Sequence, residues 1–188
     1  MQKRQQIQII SGVMAVAGVI FIGVFLFLYL GKYKMGRYKH SLYDFSVQYP
    51  LNWAVNDKEE GIAVMFISPQ EGEMDVFREN VNIVVQDLAQ VSQDPLDLDK
   101  YSRVAVNQMK IVFGDGMEIL ESESQFFAGL PGYRFVYLGH GGPFDVQYMH
   151  LWTIKDNKAY QFTYTASSTG FETKMGIVKR MAKSFRIL

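Results

Sequence analysis

The 188-residue chain has no cysteine. That absence excludes disulfides, thiol nucleophiles, thiolate zinc sites and the lipid-modified cysteine that tethers bacterial lipoproteins. Acidic residues are missing from the first 40 positions, where Lys3, Arg4, Lys32, Lys34, Arg37 and Lys39 carry the only charges. Proline occurs five times, and there is no internal repeat or low-complexity tract. The common catalytic patterns are absent too: there is no G-x-S-x-G elbow, no serine followed by lysine at active-site spacing, and no lysine after the glycines of "GHGGP" in the P-loop manner. The expectation is a chain that is not an enzyme and holds no cofactor.

A formal net charge of zero conceals a segregation. Residues 1–40 sum to +6, whereas the rest carries 13 basic and 19 acidic residues, a balance of −6. An acidic remainder repels phosphate backbones, so nucleic acid is excluded as a partner. The composition is otherwise that of a folded chain, 48% hydrophobic with 14 Phe, 11 Tyr and two Trp. The length suits one domain of about 100–150 residues with an appendage.

The appendage is apolar. "IISGVMAVAGVIFIGVFLFLYL", residues 9–30, passes without a charge. A helix rising about 1.5 Å per residue crosses the roughly 30 Å hydrocarbon layer over such a length. The run is longer than the apolar region of a secretory signal, and "LYLGKYKMG" offers no small-x-small cleavage site, so an uncleaved transmembrane helix is expected. Tyr29, Lys32, Tyr33 and Lys34 suit its interfacial end, and the anchor makes membrane lipid one partner. Residues 1–8 are then a short tail, 31–41 a basic juxtamembrane linker, and 42–188 the globular domain. Lys3 and Arg4 against Lys32, Lys34, Arg37 and Lys39 favour a cytoplasmic domain by the positive-inside rule.

The domain reads as three strands, a helix, four strands and a helix. Phe45, Val47 and Tyr49 alternate with Ser46 and Gln48 up to Pro50, with Trp53 as an aromatic plug after the turn. "GIAVMFISP" (61–69) is nearly continuous in apolar residues, the pattern of a strand covered on both faces. "NVNIVVQDL" (80–88) is the third strand. Leu98, Tyr101, Ala105, Met109 and Val112 recur at helical spacing behind Asp97 as N-cap, and Gly114 and Gly116 end that helix. Strands follow at 117–127, 132–139, 145–155 and 158–166, the last two joined by the tight turn "KDNK". Phe171, Met175, Val178, Met181 and Phe185 mark a closing helix, whose Lys179, Arg180 and Lys183 suit the negative end of its dipole. Short connections between strands imply an antiparallel sheet onto which two helices with single apolar faces pack, an α+β fold.

Metal chemistry has one candidate set, His140, Asp145 and His150 in "GHGGPFDVQYMH". Parity opposes it, because Asp145 and His150 differ by five positions and face opposite sides of a strand. Neither a catalytic nor a cofactor-binding residue is assigned, and no metal site is expected. Carboxylates such as Glu121 with Glu123, or Asp97 with Asp99, read as solvated charge.

"YDFSVQYPLNW", "GIAVMFISP", "NVNIVVQDL", "LPGYRFVY", "YQFTYTAS" and the terminal "MAKSFRIL" together resemble the PsbP-like family, relatives of the extrinsic protein of the oxygen-evolving photosystem. The likeness spans almost all of 42–188. It implies a central antiparallel sheet with helices on both faces, an α/β/α sandwich, and an extracytoplasmic (periplasmic or lumenal) domain that aids assembly or stability of an integral membrane protein complex. Photosynthesis is one setting so implied. Two readings stand at this point: a noncatalytic accessory subunit, and a membrane-anchored ligand-binding or sensor domain with a groove between sheet and helix.

Overall fold

The computed structural model describes residues 34–73, 75, 77–91, 96–140 and 142–188. The expected tail and span, 1–30, lie outside them; among the described residues no helix is long and apolar enough to cross a membrane. The domain is built on a seven-stranded antiparallel sheet in the order β3-β4-β5-β9-β8-β7-β6 and a three-stranded sheet in the order β1-β2-β10. The strands are β1 (Met35–His40), β2 (Phe45–Pro50), β3 (Ala54–Asn56), β4 (Val64–Ile67), β5 (Asn80–Asp87), β6 (Met117–Phe127), β7 (Leu130–Gly139), β8 (Val146–Lys155), β9 (Lys158–Ser167) and β10 (Arg186–Ile187). The helices are α1 (Leu98–Phe113) and α2 (Phe171–Ser184).

Local chemistry sets these limits. Asp97 caps α1 by accepting from the Lys100 amide at 2.7 Å, and Gly114 ends the helix at a φ of 54° that a side chain would resist. Two hairpins of the large sheet turn through paired positive φ values, Ala128 and Gly129 between β6 and β7, Asp156 and Asn157 between β8 and β9. That pairing matches the right-handed twist of the flanking strands and sets their register. From β5 the chain crosses through α1 to the far edge, and the meander β6 to β9 returns it beside β5.

Strand alternation divides the large sheet into two faces. One presents Val81, Ile83, Phe162, Tyr164, Leu151 and Met149, all buried; α2 and the small sheet cover it. Phe45, Phe185 and Phe127 stack in sequence there, with centroids 5.3 and 5.1 Å apart, and Tyr49 stacks on Phe66 at 4.9 Å. Tyr164 Oη donates to the Phe171 carbonyl at 3.0 Å, which pins the start of α2 to β9. The other face presents Tyr133, Phe135, Tyr137, Tyr148 and Trp152, against which α1 lays Leu98, Tyr101, Ala105, Val106, Met109 and Phe113.

Three expectations change. Residues 31–41 are not all linker: Met35–His40 forms β1, in antiparallel register with β2 from Met35↔Pro50 to His40↔Phe45. Tyr38 and His40 supply its inward face, packing on Phe66 and Phe45, so two aromatic side chains suffice to hold a strand that otherwise reads as basic and polar. The stretch 61–69 is a strand only at Val64–Ile67 and is half-buried, with Val64 and Phe66 inside and Met65 and Ile67 partly open, because α1 lies over β7 rather than over β4. Finally β3 and β10 are additional short strands. β10 forms where the chain, released from α2, reaches β2 at Arg186↔Ser46.

Candidate functional site

The histidines of the expected metal set separate. His140 Nδ1 lies 2.9 Å from Asp145 Oδ1 and Nε2 3.7 Å from Glu118 Oε2, on the protein surface. The hydrogen bond that His140 donates to Asp145, aided by the charges of Asp145 and Glu118, holds the His140 imidazolium above the ordinary histidine range against an opposing desolvation. His150 instead sits in a cross-strand row between Phe135 and Thr163. Its Nδ1 is 3.0 Å from Thr163 Oγ1 and its Nε2 3.4 Å from Tyr137 Oη, one partner for each nitrogen of a neutral ring. Burial pushes His150 down to about 4. So the structure brings His140 and Asp145 together and leaves His150 in the sheet; among the described residues no group of three or more metal-ligating side chains converges.

Around His150 the rings form a shelf. Tyr137 stacks on Tyr148 at 4.9 Å and on His150 at 5.6 Å, and Phe113 of α1 meets Tyr137 and Tyr148 edge-on. Trp152 Nε1 donates to Ser102 Oγ of α1 at 2.8 Å, and Tyr101 Oη donates to Gln86 Oε1 at 3.1 Å. Burial pushes the Tyr101 hydroxyl up to about 12, and raises that of Tyr137 further. Both phenols are therefore neutral hydrogen-bonding groups near pH 7.

Two clefts flank the sheet. Beneath α1 a cleft of about 680 Å³ runs from Val84 and Gln86 of β5 to Val104, Gln108 and Val112 of α1, open because α1 packs chiefly over β7 and reaches β5 through Tyr101. On the opposite face a cleft of about 620 Å³ lies between the C-terminal half of α2 and the β6–β7 hairpin. Its floor is apolar, made by Phe127, Met149 and Leu151. Arg134, Lys179, Lys183 and Arg186 stand around it. Arg134 forks onto Glu121 through Nε and Nη2, and its Nη1 points at Met149 Sδ. The Arg134 hydrogen bond holds the Glu121 carboxyl below its usual range, Lys179 adding to the effect.

This second cleft was hidden in the sequence. The four-residue spacing of Lys179 and Lys183 signals one shared helix face, but Arg134 is 45 residues away in the chain and joins them only through the sheet.

These features define an antiparallel α+β domain with clefts on both faces of its sheet. The chain belongs to the PsbP family, whose model matches residues 33–187. No curated protein matches the chain. Among solved structures it is similar to cyanobacterial PsbP (CyanoP) from Synechocystis, with a TM-score of 0.61 and 16% identity over 82% of this chain and 92% of that one. It is also similar to LpqN of Mycobacterium tuberculosis, involved in cell envelope biogenesis, with a TM-score of 0.55 and 10% identity over 81% and 90%. The Ran-binding protein Mog1p of Saccharomyces cerevisiae gives 0.56 and 7% over 82% and 96%. Identities so low establish a shared fold and carry no residue's role across.

Proposed function

We propose that the chain is a noncatalytic accessory subunit of a larger membrane protein complex, held by a single span at 9–30, with its PsbP domain outside the cytoplasm and aiding assembly or stability by docking. Membership of the PsbP family supports the reading. One observation carries it: on an acidic domain, adjacent Ile111 and Val112 of α1 are 81% and 79% exposed. Two adjacent large apolar side chains left this open suit a contact surface. A span supports it further, since confinement to the membrane plane raises the effective concentration near membrane partners and lets a small docking surface suffice. The histidines have structural partners that account for them, His150 in Thr163 and Tyr137, His140 in Asp145.

The test is a native gel of gently solubilised membranes with mass spectrometry of the band that holds this chain. Comigration with a large assembly at fixed stoichiometry, lost in an Ile111→Ser/Val112→Ser variant, is the expected result; migration alone ends the proposal. Protease treatment of intact cells checks the placement, for which a protected domain is the adverse outcome. A second reading, ligand binding between sheet and helix, draws on the cleft beneath α1. A small molecule retained there through purification, with no partner complex, would favour it.

A further inference from the structure

We infer that the cleft between α2 and the β6–β7 hairpin is a binding site for an amphiphilic anion, a phosphate or carboxylate head on an apolar tail. The charge argument comes first. Lys179 and Lys183 stand one helical turn apart on the same side of α2, and Arg186 follows three residues on, so like charges repel across a short distance. Among the described residues none of the three has a carboxylate within ion-pair distance. The helix dipole accounts for Lys183 in the last turn, but not for Lys179 above it or for Arg134 aimed at the same space from β7. Glu121 pairs with Arg134 and feels Lys179 only beyond ion-pair distance, which leaves Lys183 and Arg186 without a carboxylate. An anion between them relieves that repulsion, and cations held at the edge of an apolar floor bind it more strongly than they would in open water.

The shape argument is separate. Lys179, Lys183 and Arg186 are exposed, and with Arg134 they ring an apolar floor of Phe127, Met149 and Leu151, which are buried, and Ala182. Phe126, 78% exposed at the hairpin, extends the apolar surface outwards. The volume of about 620 Å³ falls in the range of small-molecule sites. Arg186 is held in place by its Nη1, which donates to the Lys183 and Phe185 carbonyls at 2.8 and 2.7 Å, and this tethering reduces the ordering that a ligand would demand. The head binds among Lys179, Lys183 and Arg186 and the tail lies over Phe127, Met149 and Leu151. Such a molecule comes either from a bilayer lipid or from solution.

The experiment uses the full chain in nanodiscs of zwitterionic lipid, titrated with decyl phosphate by calorimetry. Saturable binding at one site per chain is expected, with inorganic phosphate at least about tenfold weaker for lack of the tail. A Lys179→Gln/Lys183→Gln variant, altered only at exposed positions, is expected to weaken decyl phosphate at least about tenfold. Arg180→Gln, on the same helix but outside the cleft, is expected to leave it unchanged. Repeating the titration in nanodiscs rich in phosphatidylglycerol identifies the source: competition by the bilayer means a lipid, and undiminished binding a soluble amphiphile. The proposal is overturned by the absence of saturable binding, by equal affinity for uncharged decyl maltoside, or by Arg180→Gln matching the double lysine variant, which would reveal a diffuse field without a site. Membership of a complex does not enter this readout, so the two proposals fail separately.

Discussion

The two faces of the large sheet are built differently. On the side of α2 and the small sheet, Phe45, Phe66, Phe162 and Phe185 are almost wholly buried and meet mostly other apolar groups. On the side of α1, the equally buried Trp152 and Phe135 share the surface with His150, Thr163, Ser102 and Gln86, each engaged in a hydrogen bond. α2 and the small sheet close their face except beside the β6–β7 hairpin, whereas α1 leaves a cleft open beside β5 on its own face. Apolar contacts dominate the first side, where Tyr164 to the Phe171 carbonyl and Lys174 with Glu71 are polar exceptions. Directional bonds and open space mark the second.

The contrast is breakable by mutation. Phe162→Ala on the closed face removes a fully buried ring from the α2 side and is expected to cost about 3–5 kcal/mol in urea unfolding. A loss below that of polar-face substitutions would reverse the assignment.

Acid separates the faces next. His150 lies at about 4 folded against about 6.5 unfolded, so between these values the unfolded chain holds the extra proton. Its contribution is complete above pH ~6.5 and fades on acidification, by about 3 kcal/mol once pH falls below the folded value. His150→Gln should flatten that limb when wild type and variant are unfolded side by side across the window.

Ser102→Ala removes the acceptor of Trp152 Nε1 and strands a buried donor, an expected cost of about 1–3 kcal/mol. Near-UV circular dichroism of the indole should change with it. Smallest is His140 on the surface. Its ring should titrate above the ordinary ~6.5 by NMR and return towards it in Asp145→Asn. The raised value means any stability from this pair is present below the unfolded pKa and is lost as pH climbs through the folded one.

Much of this plan was legible along the chain. Asp97 and Gly114 bracket α1 at the positions where they cap it, and "KDNK" makes the turn it suggests, because these signals depend on neighbours in sequence. β1 was not legible: Tyr38 and His40 are its only inward aromatics, and their pairing with Phe66 and Phe45 exists only after folding. The apolar run 61–69 misled for a related reason. It records hydrophobicity without recording how far a helix reaches, and Met65 and Ile67 are left half-open by the offset of α1. The basic cleft unites β7, α2 and β10, so no local pattern could announce it.

Strand β6 has the last consequence. It is an 11-residue edge, long enough to recruit a strand from another chain. Its ladder is broken by a register shift between Ile119 and Glu121, and Glu118, Glu121 and Glu123 place negative charge along it. A second copy of the same edge would meet its own glutamates across an irregular backbone, so β6 resists growing into a fibre. Crowding of the domain is thereby kept from becoming a route to aggregation through this edge, and a partner that meets β6 must recognise side chains in place of a free backbone edge.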